Sequence, residues 1–71
     1  MTMKKIIYEL KNFCEHELWM VKHLNLNPHK AETRCFGAVM FVINMDNYFY
    51  EDLTKWWNNK MRPQFEELKR R

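Results

Sequence analysis

The sequence predicts an all-α protein, an antiparallel helical hairpin with a C-terminal helical extension. The 71 residues include one glycine and two prolines, and no Asn-Gly or Asp-Gly pair marks a turn between strands. Apolar residues recur at helical spacing rather than in alternation. The stretch Cys35–Met45 is apolar on nearly all sides. This is typical of a helix at the centre of a core or at an association surface.

The first helix is expected over residues 3–24, with an apolar stripe along one side. Asn25 suits the left-handed backbone conformation that ends a helix, and Asn27 and Pro28 suit the cap and first position of the next helix. A connection over residues 25–27 is so short that the two helices must be antiparallel neighbours. The stripe comprises Ile6, Leu10, Phe13, Met20 and Leu24, widened by Ile7, Cys14, Leu18 and Val21.

The end of the second helix leaves two arrangements open. In one, a single helix runs over about residues 28–61; in the other, Asp46 or Asn47 caps a separate third helix. A continuous helix would extend about 18 Å past the first one, so a second chain would have to cover it. We favour this long or kinked helix with a partner. Pro63 ends or kinks it, and the C-terminal segment covers residues 63–71.

The apolar content is large for so short a chain. A chain of this length forms at most one domain and buries only about 60% of the surface that its unfolded form exposes. Yet 15% of the residues are aromatic and six are methionine. Small scaffolds often gain stability by oligomerising, and we expect a homodimeric helical bundle, with another protein as a possible partner. Its interface should include Val39, Val42, Met45, Phe49, Leu53 and Trp56.

Two carboxylates fall inside apolar arcs, Glu17 on the first helix and Asp46 on the second. A buried carboxylate must be paired, hydrogen-bonded or protonated. We expect Glu17 to meet Arg34, a tyrosine hydroxyl or the bundle edge, and to specify register. A Glu17→Gln change should then be tolerated or mildly stabilising. A metal site is not expected, because the Glu-x-x-His pairs of carboxylate bundles do not occur.

Indoles, amides and cations are mixed in the run from Lys55 to Pro63. Indoles stack on bases and cations meet phosphates, so a nucleic-acid-binding regulator is the alternative function. The net charge of +3 comes mostly from the C-terminal end, although cations also suit the C-terminus of a helix. The residues that would contact nucleic acid are Trp57, Lys60, Arg62, Arg70 and Arg71.

Other classes of function find little support. The chain contains no serine, and a single glycine cannot build a phosphate-binding loop. Cys14 and Cys35 lie within apolar patterns, where a thiol is expected to be buried and inert. The central apolar stretch is too short to span a bilayer, and no targeting segment is apparent. We therefore expect a cytoplasmic, non-catalytic interaction or regulatory protein that binds no cofactor, small molecule or membrane.

Overall fold

The computed structural model describes residues 2–71, within which the chain forms helices and no strand. The all-α class is thereby confirmed. Two long helices are followed by a third helical segment over residues 47–69, called the third segment below. The helices are α1 (Met3–Leu24) and α2 (Pro28–Met45). The third segment consists of a 3₁₀ turn (Asn47–Phe49), α3 (Tyr50–Trp56), a π-helical turn (Trp57–Met61) and α4 (Arg62–Lys69).

Local capping explains the bounds of α1 and the start of α2, which agree with those expected from the sequence. The Thr2 hydroxyl accepts a hydrogen bond from the backbone N–H of Lys5 at the start of α1. Asn25 ends α1 in the left-handed conformation, with a φ of 58°. The side-chain oxygen of Asn27 accepts hydrogen bonds from the backbone N–H groups of His29 and Lys30, in the first turn of α2, at 2.9 and 3.3 Å.

The chain breaks at Asp46, so the favoured continuous second helix is wrong and the alternative with a cap at this residue holds. Asp46 has an extended backbone (φ −154°, ψ 106°), and its N–H donates to the Val42 carbonyl to close α2. Its carboxylate accepts from the Tyr48 N–H at 3.0 Å and so begins the third segment. The expectation of a buried Asp46 is also wrong, because the side chain caps a helix at a partly exposed position.

Pro63 does not end the third segment. The proline has no N–H and its ring crowds the preceding turn, and the helix accommodates it by widening just before it. The Arg62 N–H donates to the Trp57 carbonyl five residues earlier, which is the hydrogen bond of a π-helical turn. The C-terminal segment is docked by Phe65 and Leu68, which are buried.

The core lies where α1, α2 and the third segment meet. Its fully buried side chains include Phe65, Leu53, Met61, Val39, Cys14 and Cys35. On α1 the core side is rotated from the centre of the expected stripe. Leu10, Leu18 and Val21 are buried, whereas Phe13 and Leu24 are 41% and 57% exposed. The rotation arises because the third segment packs against one flank of α1 and leaves the other flank uncovered.

Gly37 provides a test of this packing. A Cβ added at this position meets no atom within 4 Å, so the glycine is not required by a close intramolecular approach. We expect Gly37→Ala to raise the free energy of unfolding by about 0.5–1 kcal/mol, through the higher helix propensity of alanine. Urea denaturation followed by circular dichroism measures this. A loss of stability would show that a neighbour fills the space beside residue 37.

Candidate functional site

Half of the residues expected at a self-association surface lie inside the chain's own core. Val39, Val42 and Leu53 are 2%, 5% and 1% exposed, so in this single chain they are not accessible to a second subunit. They are buried because the third segment folds back over α2 instead of extending away from it. Phe49 and Trp56 pack partly buried against the same core. Of the six, Met45 alone is more than half exposed, at 54%.

A different set of apolar side chains faces solvent on one side of the α1–α2 pair. At 100° per residue, positions 13, 20 and 24 span about 40° of α1, beside position 17. Positions 41 and 45 likewise lie beside position 34 of α2. Because Glu17 and Arg34 bind each other, both groups border the same side of the pair. We call this surface the outer face; its apolar residues are Phe13, Met20, Leu24, Phe41 and Met45.

The third segment occupies the other flank of α1 and leaves the outer face open. The Lys11 ammonium lies 5.5 Å from the ring centroid of Trp56, and Lys60 pairs with Glu15 at 3.1 Å. These contacts fall on positions 11 and 15 of α1, well over 100° around the helix from Phe13. Phe41, at 67% exposed, is the most accessible apolar residue of the outer face.

An ion pair joins α1 to α2 at the edge of the outer face. Arg34 donates from Nε to Oε1 of Glu17 at 3.1 Å and from a terminal nitrogen to Oε2 at 2.8 Å. The Glu17 side chain is 7% exposed and the Arg34 side chain 48%. The hydrogen bonds that Arg34 donates to the Glu17 carboxylate raise the pKa of Arg34. Arg34 is thus the partner of Glu17, one of the three that the sequence allowed, while a role in register stays a prediction.

The two thiols form a second link between α1 and α2, deeper in the core. Each Sγ donates to the backbone carbonyl of the other cysteine at 3.9 Å, and neither residue is exposed. Hydrogen bonding to Cys14, together with burial, raises the pKa of the Cys35 thiol. A protonated, inaccessible sulfur is a poor nucleophile and metal ligand. Cys35 therefore serves packing rather than chemistry.

The residues expected to contact nucleic acid are not brought together. Trp57 is 5% exposed, with its ring centroid 5.4 Å from that of Phe36 and 6.0 Å from that of Phe65, so it offers no free face to a base. Lys60 is held by Glu15. Arg62 lies on the wall of a groove of about 750 Å³ between α2 and the third segment. Arg70 and Arg71 are exposed at the opposite end of α4 from the tryptophans.

Sequence reasoning missed an exposed aromatic ladder on α1. His16 and Trp19 stack with ring centroids 6.2 Å apart and 13° between the ring planes, and Trp19 and His23 approach to 4.8 Å. Trp19 is 50% exposed. The sequence does indicate this ladder, because positions 16, 19 and 23 carry aromatic rings three and four residues apart, and such side chains are neighbours on a helix surface. The ladder was overlooked because Trp19 lies outside the apolar stripe.

The described residues contain neither a metal-binding cluster nor a membrane-spanning helix. Within residues 2–71, no three His, Cys, Asp or Glu side chains are grouped so as to hold a metal ion. Over the same range, no helix combines the length with the apolarity that a membrane span requires. Three surfaces remain as functional candidates: the outer face, the groove beside Arg62, and the cationic C-terminal end that carries Arg70 and Arg71.

Because Glu17 is more deeply buried than Arg34, we expect substitutions of the two residues to change the free energy of unfolding unequally. We expect Arg34→Met to cost about 1–3 kcal/mol, because it leaves the buried Glu17 carboxylate without its donors. Glu17→Gln should cost under about 1 kcal/mol, because it leaves a half-exposed guanidinium that water can solvate. The double variant should recover much of the loss of Arg34→Met. Urea denaturation of all three measures this, and equal losses in the two single variants would contradict the asymmetry.

The raised pKa of Cys35 predicts a loss of stability at alkaline pH. An unfolded thiol releases its proton near pH 8.5, whereas the folded chain keeps this proton. The contribution is therefore fully present below about pH 8.5 and declines above it by about 1.4 kcal/mol per pH unit. We expect the free energy of unfolding of Cys35→Ala to decline less steeply than that of the wild type between pH 8.5 and 10. Parallel declines would show that Cys35 ionises freely in the folded chain.

Comparison with known proteins does not assign this chain to a family or a function. No protein-family model, no curated protein and no solved structure matches the chain. The assignment of function therefore rests on what the outer face, the ion pair and the distribution of charge can do physically.

Proposed function

We propose that this chain is a small non-catalytic interaction or regulatory protein that pairs with a second copy of itself through the outer face. The observation that carries the proposal is the exposure of Phe13, Leu24, Phe41 and Met45, each more than two-fifths exposed, on one side of the α1–α2 pair. Burying apolar surface is the main driving force of protein association. Contiguous exposed apolar patches on small proteins commonly mark interaction sites.

The spacing of the outer-face residues supports a helical bundle as the form of the assembly. On α1, positions 6, 10, 13, 17, 20 and 24 are separated alternately by four and three residues, and on α2 the same alternation runs through positions 34, 38, 41 and 45. This is the spacing of coiled-coil seams, in which side chains of one helix insert between those of another. Glu17 and Arg34 occupy polar positions of these seams, where a buried polar residue can set register.

The apolar residues of the outer face supply about half of the area that a standard interface takes from each partner. A large apolar side chain buries roughly 150–250 Å² when fully covered, so the exposed fractions here amount to roughly 400–500 Å². A stable interface of standard size uses about 800 Å² from each partner. Residues that border the apolar set, such as Arg34 and Ala38, would supply the remainder.

A second copy is favoured over a different protein because the two sides of the seam complement each other. Glu17 and Arg34 neutralise one another, so two outer faces can meet without repulsion between like charges. In a two-fold symmetric pair the same patch serves both subunits, and one set of apolar residues is enough. Both cysteines are free thiols, which suits a reducing compartment, and the proposal therefore includes a cytoplasmic location.

Substitution of an exposed outer-face residue tests the proposal without disturbing the core. We expect the wild type to have twice the chain mass by light scattering, at both low and high salt. Phe41→Lys should have the mass of a single chain and retain its helical circular dichroism, since residue 41 is 67% exposed.

The matched control is Tyr8→Lys. Tyr8 is similarly exposed, at 64%, but lies on the far side of α1 from the outer face, so this variant should remain dimeric. A wild type of single-chain mass at high protein concentration would overturn the proposal. Equal dissociation by the two substitutions would show that the outer face is not the interface.

A further inference from the structure

The net charge of the chain is confined to one end of the molecule. We call this end the turn pole and define it as residues 16–34 and 62–71, which include the α1–α2 connection and α4. It carries seven Lys or Arg against four Glu, whereas the remaining residues carry five cations against five carboxylates. The whole charge of +3 therefore belongs to the turn pole. Lys22 hydrogen-bonds Gln64 at 3.2 Å, which brings the two parts of the pole together.

Most cations of the turn pole are free to bind an external anion. Three of its four carboxylates are already paired: Glu17 with Arg34, and Glu32 and Glu66 with Lys69. Within residues 2–71, five cations of the pole have no carboxylate partner, against one such carboxylate, Glu67. These five are Lys22, Lys30, Arg62, Arg70 and Arg71. Lys22 and Arg71 border a shallow depression of about 440 Å³ whose lining residues include no carboxylate.

The aromatic ladder lies on this same end of α1. Trp19 is half exposed between His16 and His23, and Lys22 is within one helical turn of it. Planar rings beside free cations are the two components of surfaces that bind single-stranded nucleic acid. The rings stack on bases and the cations neutralise phosphates. Trp57 and Lys60, to which the sequence pointed for this role, make internal contacts. By contrast, Lys30, Arg70 and Arg71 of the turn pole are exposed.

We propose that the turn pole binds single-stranded nucleic acid, with bases stacking on the Trp19 ladder and the phosphate backbone crossing Lys22, Lys30, Arg70 and Arg71. A single strand is favoured over a duplex because its bases are free to stack, and because an end of this size presents too few cations to follow a duplex groove. The binding is expected to show little sequence preference, since every base has a flat face. This activity uses none of the five apolar residues of the outer face.

Fluorescence anisotropy of a labelled oligothymidylate of about 12 nucleotides, within the usual range of single-strand site sizes, tests the proposal. The pole variant combines Lys30→Gln, Arg70→Gln and Arg71→Gln. The control combines Lys4→Gln, Lys5→Gln and Lys55→Gln, which removes the same charge from exposed positions at the neutral end. We expect at least tenfold weaker binding by the pole variant and less than twofold by the control. Loss of three phosphate contacts should also lower the salt slope by about two.

The stacking component is tested separately with Trp19→Ala, which should weaken binding at least about fivefold. Trp19→Phe should retain most of the affinity, because phenylalanine also offers a ring face, and circular dichroism confirms that each variant is folded. Equal losses in the two charge variants would overturn the proposal, as would the absence of oligonucleotide binding at low salt. Binding to phosphatidylserine vesicles without binding to the oligonucleotide would also overturn it and identify the pole as a lipid-binding surface.

Discussion

The extended backbone at Asp46 is the constraint on which the arrangement of this chain depends. It closes α2 with one hydrogen bond and begins the next helix with another, so the chain reverses with almost no loop. Without this break, a helix over residues 28–61 would be roughly 51 Å long, and Leu53 and Trp57 would stand in water. With it, Leu53 joins Val39 in the buried core, and the Trp57 ring packs beside that of Phe36.

The reversal also determines which surface remains open. The third segment covers only one flank of the α1–α2 pair, and within residues 2–71 no other element packs on the opposite flank. Phe13 and Phe41 are consequently left in solvent, although their spacing is that of buried positions. The Glu17–Arg34 pair marks the boundary between the two environments, with the carboxylate inside and the guanidinium half outside. The proposed self-association rests on this one-sided coverage.

The sequence predicted those features of the fold that local chemistry determines. The bounds of α1 and the turn through Asn25 and Asn27 depend on caps that act within a few residues, and both were predicted. The sequence allows both a break at Asp46 and a continuous helix, because an aspartate that caps a helix cannot be told by sequence from one on a helix surface. Only the contacts of the returning segment distinguish the two cases.

The candidate site was predicted less well, because periodicity identifies an apolar arc and not its neighbours. Periodicity predicts the apolar arc on α1. It does not predict that Leu18 is buried and Phe13 exposed, because that depends on where the third segment packs. Likewise, the sequence does not indicate which of the two adjacent indoles, Trp56 or Trp57, is the buried one. The π-helical turn that begins at Trp57 helps to set which ring is buried, and its position depends on Pro63 and on tertiary packing.

The reversal at Asp46 is tested most directly by nuclear Overhauser effects between the rings of Phe36 and Trp57. The account predicts strong effects within one chain, because the ring centroids are 5.4 Å apart. A sample that mixes labelled and unlabelled chains distinguishes contacts within a chain from contacts between chains. In a continuous helix the two residues would be about 31 Å apart along the axis. Absence of the effect, or its presence only between chains, would contradict the account.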